Sequence, residues 1–140
     1  ARLLPSLALD TTFNGTGRAT MDSGAIESAF GVAVQRDGRV LVAGITNQGG
    51  GVLNNVVLAR FTAAGVPDTT FGPNGRAAAD LGGNEFARAV LVQPDGRIVF
   101  TGQGQTNDLL VARMIGGPPP AVTITSPTTN TAITSTSPFA

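Results

Sequence analysis

The chain has 140 residues, 41% of them apolar and only 13% charged, with a net charge of zero. That balance excludes nucleic-acid binding by counterion release and a polybasic membrane patch, and no apolar run approaches the ~18 residues of a membrane span. Charge is about half the ~25% usual in globular domains, so either Thr, Ser, Asn and Gly cover the surface or much of it is buried against a partner.

His, Cys, Lys, Tyr and Trp are all missing, and every one of the nine basic residues is Arg. A coding bias explains this set, and without Cys there are neither disulfides nor thiolate metal sites. No signal peptide is recognisable. The opening Ala1-Arg2 without Met reads as processed or cut from something longer.

In chain order, the first signal is an internal repeat. Leu9–Arg18 (LDTTFNGTGR) returns as residues 67–76 (PDTTFGPNGR), which maps Asp10 onto Asp68 and Phe13 onto Phe71 at an offset of 58. VAVQRDGRVLVAG (32–44) returns as VLVQPDGRIVFTG (90–102) with seven of thirteen positions identical, mapping Asp37-Gly38 onto Asp95-Gly96. Ala-Arg followed by an apolar residue recurs at 1–3, 59–61 and 112–114; the last spacing is 53, because the loop after the hairpin is shorter. Loops absorb such deletions at little cost.

Each unit predicts four strands: Gly17–Met21, Ala29–Gln35, Arg39–Thr46 and Val56–Thr62, with counterparts at Gly75–Ala79, Ala87–Gln93, Arg97–Gly102 and Leu109–Met114. Strands two to four are apolar on both faces, the pattern of a sheet covered on both sides. Asp37-Gly38 and Asp95-Gly96 supply the positive φ of a tight hairpin turn. Asp10 and Asp68 cap turns in the Asx manner, and Phe13 and Phe71 wedge between sheets. The expected fold is all-β, with β-propeller-type four-stranded blades; a stacked β-solenoid is the alternative.

The divisions follow from the repeat. Residues 1–8 read as the last strand of a preceding unit, 9–66 and 67–115 as two blade repeats, and 116–120 (GGPPP) as a stiff linker. Residues 121–140, an extended Thr/Ser-rich strand, read as a truncated domain, an ordered strand lent to a neighbour by edge addition, or a Thr/Ser-rich stalk. Two blades leave apolar faces open, so the expected partners are further repeats of a longer protein, or copies of itself in an oligomer or fibre.

At this point the motifs carry a resemblance. LDTTFxxxGR, followed by AVxxQxDGR and then AR[FM], is similar to the delta-sixty repeats of bacterial secreted and surface proteins, over residues 1–115. Residues 121–140 resemble the start of a bacterial immunoglobulin-like domain. The resemblance implies propeller blades in an extracellular or cell-surface protein, with no assigned activity. One departure is Phe100, where the family favours a small or β-branched residue.

For chemistry, the missing His, Cys, Lys and Tyr remove the common bases and nucleophiles. The expectation is no enzyme and no cofactor. DSGAIE (22–27) and DLGGNE (80–85) place Asp22, Glu27, Asp80 and Glu85 as oxygen ligands a Ca²⁺ ion could use. The competing expectation has these acids capping turns or pairing with Arg18 and Arg76. Arg2, Arg60, Arg113, Arg39 and Arg97 form either an anion- or glycan-binding ring or repeated Arg–Asp struts such as Arg39–Asp37 or Arg60–Asp10. A glycan site lacks the Trp and Tyr platforms such sites use.

Overall fold

The computed structural model describes residues 1–47, 53–115, 121–125 and 132–135. Its strands are β1 (Ile26–Val34), β2 (Val40–Asn47), β3 (Asn55–Phe61), β4 (Arg76–Ala79), β5 (Phe86–Val92), β6 (Ile98–Gln103), β7 (Leu109–Ile115), β8 (Ala121–Thr125) and β9 (Ala132–Ser135). One 3-10 turn, Pro73–Gly75, leads into β4. The strands make two antiparallel meanders, β1-β2-β3-β4 and β5-β6-β7-β8-β9. The protein is all-β, built from propeller-like blades.

The strand assignments hold for two to four of each repeat, but sequence unit and sheet are out of phase by one strand. β4 comes from the second repeat and closes the sheet of the first, pairing Ala59 with Arg76 and Leu58 with Ala77. The counterpart expected at Gly17–Met21 forms no strand; there Arg2 only donates its amide to the Gly17 carbonyl at 2.9 Å. A strand needs a partner along its length, and residues 1–4 offer β4's counterpart a short one. At the other end, β8 adds to its own blade, pairing Ala112 with Ile124 and Met114 with Val122. The linker GGPPP lies outside the described residues.

Local chemistry sets the hairpins. The Gln35 amide donates to the Arg39 carbonyl and the Gly38 amide to the Gln35 carbonyl, with Gly38 at φ 82°; Gln93, Gly96 and Arg97 repeat this with Gly96 at φ 84°. Only the glycine is left-handed, the pattern of a turn followed by a bulge rather than a two-residue turn. Asp37 and Asp95 instead accept the amides of Arg39 and Arg97 at 3.1 and 3.0 Å.

β1 and β5 each carry a bulge, at Phe30 and Arg88, between Ala29/Gly31 and Ala87/Ala89. Gly44 and Gly102 lie opposite. A Cβ there would sit 1.9 Å from the Ser28 carbonyl and 1.7 Å from that of Phe86. The repeated glycine is therefore a contact requirement of the bulge.

The core lies between the blades. Leu41, Ala43, Val56, Leu58, Ala77 and Ala79 on one face of the first sheet meet Ala87, Ile98, Phe100, Leu110, Ala112 and Met114 on the second. The first set is here called the front of a blade and the second the back. Phe100, the departure from the resembled pattern, is fully buried at the centre of this seam. Gly31 brings β1 hard against β5, its absent Cβ 2.9 Å from the Ala89 Cα.

Candidate functional site

Three features bear on function: a repeated polar corner, the two acidic loops, and the outer blade faces. The corner follows the third strand of each unit. The isolated bridges Leu3–Leu9 and Phe61–Pro67, one repeat apart, fold the chain back so that Asp10 faces Arg2 and Asp68 faces Arg60. Asp68 Oδ1 accepts the Thr70 amide and hydroxyl, at 3.1 and 2.6 Å, and its Oδ2 accepts Arg60 Nε at 2.8 Å. Asp10 does the same with Thr12 and Arg2. Each guanidinium then lies over an aromatic ring: Arg2 on Phe13 at 5.0 Å, Arg60 on Phe71 at 4.7 Å. Both Phe rings are buried, and Phe71 belongs to the core cluster between the sheets.

The two corners differ in one cation. Arg39 Nε reaches Asp68 Oδ2 at 2.9 Å while its Nη1 pairs with Asp37. Burial pushes the Asp68 carboxyl up, but the Thr70 bonds and Arg60 outweigh it, and the group titrates below its usual range. The Thr12 hydroxyl is the main cause lowering Asp10, and the Arg39 and Arg97 amides lower Asp37 and Asp95.

The arginines are thus struts at Asp10, Asp37, Asp68 and Asp95. Arg39–Asp37 forms as read from the sequence; Arg60 pairs with Asp68 of its own repeat rather than with Asp10. Arg113 is the third of the series, and Ala121 stands eight residues on, where Asp10 and Asp68 follow Arg2 and Arg60. Its charge helps lower Asp95.

The acidic loops split by repeat. Asp22 accepts the Gly24 amide and Asp80 the Gly82 amide, at 2.8 and 2.9 Å, so both cap turns. Glu27 accepts the Ser23 hydroxyl at 2.6 Å and pairs with Arg76 at 2.9 Å, joining the two edge strands of the first sheet. In the second repeat Leu81 replaces Ser23, and Ile124 sits opposite Ala112 as Arg76 sits opposite Ala59. Glu85 is 1% exposed, and among the described residues neither carboxylate oxygen completes a hydrogen bond. Burial, reinforced by Asp80, raises its pKa against the pull of the Leu81 and Gly83 amides. Among the described residues no three acids gather into a cation-sized group.

The outer faces are the largest feature. On the back of the first sheet Val32 and Val34 are 67% and 66% exposed; on the front of the second Leu91 and Leu109 are 50% and 73% exposed. A hollow of about 700 Å³ lies over that back face, between the Val32–Val34 side and residues 1–2, 13 and 19–21. Phe30 borders it, and Arg88 is held between Phe30 and Phe86 at 4.8 and 4.9 Å. This ladder was not readable in advance, because one bulge position carries Phe and the next Arg. The offset of 58 was its only signal.

A family model described as a domain of unknown function (DUF5122) beta-propeller matches residues 35–71, from the Asp-Gly hairpin through the second DTTF corner. No curated protein and no solved structure matches the chain.

Proposed function

We propose that the chain is a non-enzymatic scaffold of a secreted or cell-surface bacterial protein, working by stacking blades and pairing strands with further repeats or further copies. The observation that supports it most is the asymmetry of the blades. The front of the first sheet sits on the back of the second, and each blade's other face stays apolar and open. Glu85 apart, the acids and arginines of these corners and loops act as caps or struts. The delta-sixty resemblance adds the extracellular setting. Leu58→Asp places a charge in the seam and is expected to abolish cooperative unfolding. An unchanged thermal melt sinks the stacking reading.

A cation- or glycan-binding module is the second reading. For calcium it has one observation in favour, the buried unpaired Glu85. Melts with Ca²⁺ and with EDTA should then differ by several degrees, and superimposed curves end it. For glycans Phe30 is the one large exposed aromatic among the described residues, and Arg88 already stacks on it.

A further inference from the structure

The hollow behind the first sheet has a defined width. Residues 1–4 are the repeat counterparts of Ala59–Thr62, the end of β3, and Gly17–Met21 those of the β4 region, so this segment holds the two outer strand places of a blade. It lines the hollow together with Val57, Ala59 and Phe61 of the outer half of the back face, which are buried. The two inner places, those of β1 and β2, are open, and that is where Val32 and Val34 are bare.

The open surface has a known counterpart. Val32, Val34, Val40 and Val42 correspond to Val90, Val92, Ile98 and Phe100, the back of the second sheet. There the occupant is visible: the β1–β2 hairpin lays Ala33, Leu41 and Ala43 onto it. The edge is prepared as well. Arg2 and Leu4 direct their backbone bonds to Gly17, Asp10 and Ala8, while Leu3 has no backbone bond among the described residues. In the β2–β3 register Val40 faces Phe61, the counterpart of Leu3.

We propose that the hollow is an acceptor for one apolar β-hairpin of the QxDGR type from a further repeat, which seats its front on Val32 and Val34 and pairs its second strand with Leu3. This rests on the stacking reading and specifies the partner of that surface. Main-chain pairing supplies affinity, and the face contacts supply selection. The hairpin must be apolar at the position of Leu41 and small at that of Ala43, and its bulge residue meets Phe30 as Phe30 meets Arg88.

The test is the full chain carrying a second copy of residues 25–58 ahead of Ala1, compared with the same extension bearing Leu41→Asp in the added copy only. The first extension is expected to raise the melting midpoint by about 5 °C or more and to slow exchange of the Leu3 amide at least about tenfold. The Asp-bearing extension is expected to do neither. Equal effects from both, or none from the first, overturn the proposal. So does an unextended chain that sediments above its 14.1 kDa mass with Leu3 already protected, since a second copy then fills the hollow. Leu58→Asp separates the levels: if it destroys the melt while the extension fails, stacking stands and the hairpin acceptor falls.

Discussion

Phe30 and Arg88 occupy the same bulge position of successive repeats, and they stack on each other, with Arg88 Cζ 4.8 Å from the Phe30 ring centroid. A bulge turns a side chain out of the sheet's alternation, and the tight approach of Gly31 to Ala89 brings the two bulges together. Phe30 is partly exposed, so the pair belongs at the weaker end of cation–π contacts, about 0.5–1 kcal/mol. A double-mutant cycle of Phe30→Leu and Arg88→Gln should return a coupling of about that size by urea unfolding. Coupling indistinguishable from zero would make the stacking incidental.

The two DTTF corners predict a difference in kind. Asp68 is buried and receives both Arg60 and Arg39, whereas among the described residues Asp10 pairs with Arg2 alone and is less enclosed. Removing an acceptor from a buried cation costs more than removing one end of a solvated pair. Asp68→Ala should cost about 2–3 kcal/mol and Asp10→Ala clearly less, read from denaturant midpoints at neutral pH. Equal losses would mean that Arg39 adds nothing to the second corner.

Strands two to four were legible because apolar runs between Gly and Asn clusters leave little else for the chain to form. The position of β4 was not. Its residues Arg76–Ala79 follow the DTTF motif and so belong to the second repeat by sequence, yet their partner is β3, across a corner that only the folded chain displays. The struts were half legible: Arg39–Asp37 is local in sequence, while Arg39–Asp68 depends on β2 lying beside β3 and Arg76–Glu27 on β4 closing the sheet that β1 opens. Glu85 matched Glu27 by offset. Its loss of partners lies at Leu81 and in the strand opposite Ala112, which no pattern in the loop itself announces.

These carboxylates give stability a pH profile with opposing parts. Asp10, Asp37, Asp68 and Asp95 titrate below the unfolded carboxylate range. Their stabilisation is present above the unfolded value of about 4 and is lost as pH falls toward their lowered folded values. Glu85 runs the other way: its folded pKa is raised, so its contribution is full below about 4.3 and is lost as pH rises through the folded value. Glu85→Gln should therefore raise the urea midpoint at pH 7 and leave it nearly unchanged at pH 4. A midpoint that falls at pH 7 would show that the ionised carboxylate has a stabilising partner.

Leu7 is held at φ 65°, at the place where the second repeat has Gly65 at φ 85°. The turns match in detail: the Leu7 amide donates to the Leu4 carbonyl as that of Gly65 donates to Thr62, each at 2.9 Å. A left-handed conformation costs a side-chain-bearing residue roughly 1–2 kcal/mol, and at 79% exposure the Leu7 side chain recovers little of it by packing. Glycine removes the strain but carries an entropic penalty of about 0.5–1 kcal/mol. The net expectation for Leu7→Gly is a gain of about 0.5 kcal/mol, and Leu7→Asn should gain about as much, because Asn tolerates this region with less loss of chain entropy. Thermal or urea unfolding of the three chains decides it. Destabilisation by both substitutions would show that Leu7 is held by contacts that outweigh the strain.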